Sequence, residues 1–246
     1  EIGMDKKGEV DSLSKIIKPD VGVITNISYA HAKNFKNLEQ IAKAKSEIIN
    51  NINTNDNQVG VLSGPNLARE IADKKVAGTV IASDSENLIN DVKKILSSDT
   101  FKIYSSNDIQ GVELAGALKN IYAMIIGAGQ SLNSSSNLFQ KSILEMKYLI
   151  KYFKGNDDTI SGLAGVGDLY VSAAGGRNSK MGSYLGKGFK FKIAKKRFMP
   201  NDTVEGEQLA REIAPFIFKK INKSKIPLMI NLLKTILGNK KLKIKV

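Results

Sequence analysis

The chain has 246 residues, 42% of them hydrophobic and 25% charged, which is the balance of an ordinary folded domain with length to spare for a core. It has no cysteine and one histidine, His31, which excludes disulfide frameworks, thiolate metal sites and zinc sites built from several histidines. The net charge of +13 is unevenly placed: residues 1–179 hold 20 basic and 20 acidic side chains, whereas residues 180–246 hold 17 and 4.

A basic end of this kind suits nucleic acid, a phosphorylated small molecule, or a plain lysine-rich solvated surface. No interleaving of arginine with aromatics accompanies it, which favours the solvated surface over nucleic acid. No run of 18 apolar residues is present, so no membrane span is expected. The first residue is Glu1, with no signal-peptide pattern ahead of the globular sequence, so the chain is expected to be a fragment whose start is no evidence about export. A cytoplasmic location is expected separately.

In chain order, Val21–Ile24 after Pro19-Asp20 predicts a short strand. Leu38 to Ile52 predicts a helix, with apolar residues near 3.6 spacing. Five polar turn-formers, Asn53 to Asn57, then mark a junction. Val59–Leu62, Val76–Ala82 and Phe101–Tyr104 read as strands, separated by helices over Asn66–Lys74 and Glu86–Leu96. Asp84 or Ser85 is placed to cap the second of these helices. Such alternation predicts an α/β layer with parallel pairing.

From Asn107 onward the strands fade. Gly111–Ala128 carries a wide apolar stripe, and Phe139–Phe153 predicts a second helix. The glycine-rich stretch Gly162–Gly188 predicts loops and short turns. Glu205–Ile221 and Pro227–Leu237 predict closing helices, with Pro227 at a first helical position and Pro215 expected to kink or split the former.

Four places could carry chemistry. Lys119-Asn120 sits on the apolar helix; a lysine there can act as general acid or base, or simply reach its amine out to water. Ser63-Gly64-Pro65 joins a strand to a helix, where backbone N–H groups can cradle an anion or merely turn the chain. Gly162-Leu163-Ala164-Gly165-Val166-Gly167-Asp168 does not have the G-x-G-x-x-G spacing and no strand precedes it; Asp168 is a ligand contact or a helix cap. Arg177-Asn178 after Gly175-Gly176 puts a forked cation and an amide together, which suits phosphate. No phosphate-gripping fingerprint occurs anywhere in the chain.

Taken together, these blocks resemble the later half of the bacterial-type NAD(P)-dependent glycerol-3-phosphate dehydrogenases. The matches run in order: Leu62-Ser63-Gly64-Pro65-Asn66-Leu67-Ala68-Arg69-Glu70, Phe101–Asp108, Gly111–Asn120, Gly162–Leu169, Arg177-Asn178 and Val204-Glu205-Gly206. The resemblance implies an oxidoreductase that interconverts glycerol 3-phosphate and dihydroxyacetone phosphate with NAD or NADP, feeding phospholipid synthesis. It implies Lys119 as the proton-transferring residue. Gly64, Asn66, Lys119, Asn120, Asp168, Arg177 and Asn178 would face substrate, and Ala68, Arg177 and Glu205 the cofactor. It implies no metal, no nucleic acid, no membrane span, and a homodimer.

The fold implied is an α/β remnant, a partial dinucleotide-binding domain, followed by an all-α substrate domain of the 6-phosphogluconate-dehydrogenase C-terminal type. Asn66 departs from the family's Ser or Thr, Gly176 from its Ser, and the stretch between Asn137 and Glu145 is shorter. The family's first half, with the glycine-rich loop and another active-site lysine, has no counterpart here, so this chain alone is expected to be weak or inactive.

Residues 1 to about 52 resemble the central domain of the Mur ligases, closest to the enzyme that adds D-alanyl-D-alanine. The matches include Pro19-Asp20, Ile24-Thr25-Asn26-Ile27, Ala30-His31 and Ile41–Ile48. That resemblance implies Glu1 and His31 at a metal and Lys45 as a carbamylated lysine, and it supplies the alternative function, an ATP-dependent amide ligase fragment of peptidoglycan synthesis. The expected division is 1–54 ligase-like, 58–106 the end of a dinucleotide-binding domain, and 107–246 the helical substrate domain.

Overall fold

A computed structural model describes residues 2, 4–24, 34, 35, 37–52, 58–130 and 134–244. The chain divides into two compact units, Glu1–Gln58 and Val59–Val246.

In the first unit, helix α1 (Glu9–Ile17) begins after Gly8, whose φ of 88° lies in the left-handed region that glycine tolerates. Helix α2 (Leu38–Ser46) starts under an Asn37 side chain that accepts the Gln40 N–H at 3.0 Å. The Glu47 carboxylate reaches back to α1 and accepts the N–H groups of Gly8, at 3.0 Å, and Asp11, at 3.2 Å. Negative charge at a helix N-terminus meets the unpaired donors there. Val10, Ile41 and Ala44 are buried.

Two expectations fail in this unit. Val21–Ile24 forms no strand, and all but Gly22 are exposed. A run of four has no ladder to join unless another strand lies beside it, and none does among the described residues. The helix expected to reach Ile52 ends at Ser46 and tightens into a 3-10 turn, Glu47–Asn51. There the Ser46 hydroxyl donates to the Ala42 carbonyl at 2.7 Å and competes with the helical ladder.

The second unit opens with a three-stranded sheet in the order β1 (Gly60–Ser63), β2 (Ala77–Ser83), β3 (Phe101–Ser106). Strands β2 and β3 are parallel, with Ala77 opposite Phe101, but β1 and β2 are antiparallel, with Gly60 opposite Ser83. The expected all-parallel layer is therefore half right. Helix α3 (Ala68–Ala72) has five residues, and Lys74 at φ 56° turns the chain straight back, so the connection never crosses the sheet face. Between β2 and β3, α4 (Glu86–Leu96) does cross; its N-cap is Ser85, which accepts the Leu88 N–H at 3.2 Å.

Beyond the sheet the unit is helical. Helix α5 (Ile109–Gln130) is buried over most of its length, including every residue from Ile121 to Gly129. A helix apolar on all sides belongs in the middle of a bundle. It is surrounded by α6 (Ser135–Tyr152), α7 (Asp168–Gly175), α8 (Arg177–Gly186), α10 (Glu205–Lys220) and α11 (Pro227–Gly238), while α9 (Phe191–Phe198) packs on α8. One continuous core runs from Ala115 to Ile236.

The stretch Gly162–Gly188, expected to be loop, is largely helical: a π-helical turn over Leu163–Gly167, then α7 and α8. Two of its glycines serve contact rather than flexibility. A Cβ on Gly182 would stand 1.9 Å from the Met124 carbonyl oxygen, and one on Gly186 2.3 Å from that of Ala128. Four-residue spacing puts both on one face, and α8 lies against the bare backbone of α5. Helix α10 also runs unbroken through Pro215. Pro215 and Arg211 are both exposed, so the carbonyl that loses its donor faces water.

Candidate active site

The site starts from neighbours on α5. Lys119 and Asn120 follow Leu118, which is buried, and both are half-buried themselves. The Lys119 amine is ion-paired with the carboxylate of Asp168, the first residue of α7. The π-helical turn just before it brings Asp168 inward, and its side chain is 4% exposed. Burial pushes the Asp168 carboxyl above the usual aspartate range, while the Lys119 charge and the Ser172 hydroxyl pull the other way.

Asn120 faces α8. The Asn178 amide donates to the Asn120 side-chain oxygen at 3.0 Å and to the Glu205 carboxylate at 3.3 Å, while its own oxygen accepts the Gly206 N–H at 2.9 Å. Three of the four hydrogen-bonding positions of a buried amide are thereby used. Gly206 must be bare: a Cβ there would lie 2.7 Å from the Asn120 carbonyl oxygen. Arg177, exposed at the head of α8, pairs with Glu205 at the head of α10. Lys119, Asn120, Asp168, Arg177, Asn178 and Glu205 thus form a cluster joined by adjacency and direct bonds.

The β1–α3 loop stands beside this cluster. A Cβ on Gly116, one turn before Lys119, would meet the Ser63 hydroxyl at 2.7 Å. Gly64 is buried, and a Cβ on it would meet the Thr79 Cα at 2.9 Å. Asn66, on that loop, and Ala68, the first residue of α3, lie exposed outside the bonded cluster. A cleft of about 380 Å³ opens between the sheet and Thr159–Ala164, lined by Val80, Tyr104, Ser106 and Val112 among others. None of the candidate residues lines it.

Sequence reasoning missed Ser172 and the backbone N–H of Gly206. Ser172 was findable, since it follows Asp168 by four residues on one helix. Glu1 and His31 lie outside the described residues. Lys45 lies in the last turn of α2.

A partial α/β layer feeds a helical bundle whose head carries the Lys119–Asp168 pair and the Arg177–Glu205 pair beside the Asn178 amide, and the class it falls in is that of a dehydrogenase C-terminal domain. Residues 108–246 match the model of the NAD-dependent glycerol-3-phosphate dehydrogenase C-terminus. The chain belongs to that family. Residues 1–128 also match the Mur ligase middle domain, so both resemblances in the sequence are found.

Among curated relatives, a glycerol-3-phosphate dehydrogenase of NAD(P)+ type from Pseudomonas syringae pv. tomato is 42% identical over 169 residues, 66% of this chain and 47% of the relative. One from Azotobacter vinelandii is 41% identical over 178 residues, 70% of this chain and 52% of the relative. The chain spans about half the length of the curated relatives it matches. Among solved structures, the glycerol-3-phosphate dehydrogenase of Coxiella burnetii has a TM-score of 0.69 at 24% identity, covering 94% of this chain and 70% of that one. The Saccharomyces cerevisiae enzyme has a TM-score of 0.69 at 22% identity, covering 81% and 60%. These two share the fold. Among the described residues no helix is long and apolar enough to cross a membrane.

Proposed function

We propose that this chain carries the substrate side of an NAD(P)-dependent glycerol-3-phosphate dehydrogenase, interconverting glycerol 3-phosphate and dihydroxyacetone phosphate in the cytoplasm as a homodimer, without nucleic acid. The observation that carries the proposal is the joining of Lys119-Asn120 on one helix to Asp168 on a second and to Arg177-Asn178 on a third. In this reading residues 58–106 are the cofactor side, 107–246 the substrate side, and 1–54 the ligase-like segment.

The residues present fit part of a dinucleotide. Arg177 offers a fork for phosphate, and Glu205 can accept from hydroxyls. No G-x-G-x-x-G follows any strand, so the pyrophosphate grip is not among these residues. When bound, the nicotinamide supplies or accepts the hydride. The chain's own residues do the rest. Lys119 gives a proton to the substrate oxygen as negative charge builds there, or takes it back in the reverse direction. Asp168 holds the lysine amine in place. The fork of Arg177 leaves Glu205 to take the phosphate, and Asn120 and Asn178 orient the hydroxyl. Gly64 lets the β1–α3 loop lie close to the sheet, and Asn66 and Ala68 stand exposed just beyond it.

The test is direct binding followed by turnover. By calorimetry the full chain should bind glycerol 3-phosphate but not glycerol. Lys119→Ala and Arg177→Ala should each weaken binding by about tenfold, the loss of a charged hydrogen bond. Oxidation of NADH by dihydroxyacetone phosphate should stay far below the median enzyme rate of roughly 10 s⁻¹. Absence of phosphate-dependent binding overturns the proposal. The match of residues 1–128 favours a second reading, a ligase remnant; binding of a UDP-muramoyl peptide with Mg²⁺, and none of glycerol phosphate, would select it.

A further inference from the structure

The basic surplus of residues 180–246 is not spread evenly over the surface. Helix α9 buries Phe191 and Ala194 and turns Lys192, Ile193, Lys196 and Arg197 outward. Lys190, its N-cap, is exposed beside them. The end of α11 comes to the same place: the Asn239 side chain accepts the Lys192 N–H at 3.1 Å across 47 residues. That bond brings exposed Lys240 and Lys241 next to α9. None of these six cations pairs with a carboxylate among the described residues, although ion pairs form elsewhere on the surface.

One apolar side chain of α9, Ile193, lies in this face and is 49% exposed; on α11, Leu237, two residues before Asn239, is 42% exposed. The neighbouring rings are already used: Tyr184 and Phe198 stack at 4.4 Å, and Phe189 meets Phe198 edge-on at 5.0 Å. Single-stranded nucleic acid wants free rings on which to stack bases, and here the rings pack on each other. Cations around an exposed isoleucine match an anionic bilayer, where the charges meet headgroups and the one apolar side chain enters the boundary.

We propose that the outer face of α9, together with Lys240 and Lys241, is a docking surface for anionic phospholipid membrane. The rest of α9 is arranged to hold that face rigid. The amine of Lys195 donates to the carbonyls of Met199 at 2.8 Å and Pro200 at 3.0 Å and closes the helix end.

The experiment is sedimentation of the full chain with vesicles of phosphatidylcholine alone or of phosphatidylglycerol-rich composition. The chain should sediment with the anionic vesicles only, and release as salt rises from about 0.1 M to about 1 M and the screening length shrinks from about 10 Å to about 3 Å. K192E/K196E/R197E should lower partitioning by at least about tenfold, at roughly a factor of several per charge, with far-UV circular dichroism unchanged. Ile193→Ser should lower it at constant charge. K74E/K75E/K94E makes the same charge change at exposed lysines elsewhere and should leave binding intact. Equal loss in that control would show that net charge alone acts, and no sedimentation would show that nothing docks; either overturns the proposal. Tighter binding of an oligonucleotide at equal salt, lost in the α9 variant, overturns it in favour of nucleic acid.

Discussion

Lys119 meets Asp168 across 49 residues of sequence, and the consequences of that pairing are local and testable. Asp168→Asn removes the charge beside the lysine but keeps the shape. If the pair positions the proton donor, turnover by an enzyme reconstituted with a dinucleotide-binding half should fall by about 10²-fold or more, the range for a displaced acid or base, with a smaller change in KM. Steady-state kinetics of Asp168→Asn against Lys119→Ala measure it. At Gly182 the constraint is steric. A methyl group there lies 1.9 Å from the Met124 carbonyl oxygen, and no flexible side chain can yield. Gly182→Ala should cost about 1–3 kcal/mol or more as α8 is pushed off α5, read as a lowered urea midpoint with unchanged slope.

Among the elements, α6, α5 and α11 are tied by one buried carboxylate. Glu145 on α6 accepts the N–H groups of Leu228 at 2.7 Å and Met229 at 3.0 Å, at the start of α11, and the Tyr122 hydroxyl of α5 at 3.0 Å. It supplies the acceptor that the N-cap residue Ile226, with its apolar side chain, cannot. Burial nevertheless raises the Glu145 carboxyl above the glutamate range, with the three hydrogen bonds opposing it. The folded chain therefore holds this proton more tightly than the unfolded chain does. That contribution to stability is full below the unfolded glutamate value of about 4.3 and is lost as pH rises through the raised folded value. Glu145→Gln should flatten that descending limb in chemical denaturation across pH. At neutral pH it should also destabilise by about 1–3 kcal/mol, because an amide hydrogen would confront a backbone donor.

At the scale of the whole molecule, the units Glu1–Gln58 and Val59–Val246 each bury residues of their own. A chain beginning at Val59 should keep the helical signal of the second unit and melt within a few degrees of the corresponding transition of the full chain, because the core from Ala115 to Ile236 is built from that unit's own residues. Differential scanning calorimetry of both chains checks this; loss of the folded baseline in the shorter chain would contradict it.

The sequence alone determined what depends on nearest neighbours and periodicity. Helix α4 could be bounded to the residue because Ser85 and the apolar spacing of Glu86–Leu96 are local signals. The sheet strands and α5 were legible for the same reason, and the candidate residues stand out only because they fall in contiguous blocks. What the sequence left open was everything set by a distant partner. Val21–Ile24 has the composition of a strand but no strand beside it among the described residues, and β1 runs antiparallel because of a sharp turn at Lys74. Gly182 and Gly186 look like hinges in isolation and become contact surfaces only against the backbone of α5. Whether Lys119 reaches into water or onto a carboxylate was likewise undecidable from its neighbours, because Asp168 arrives from another helix. Hydrogen-bond partners and desolvation are properties of three-dimensional proximity, and chain order constrains them only where the partners are few residues apart.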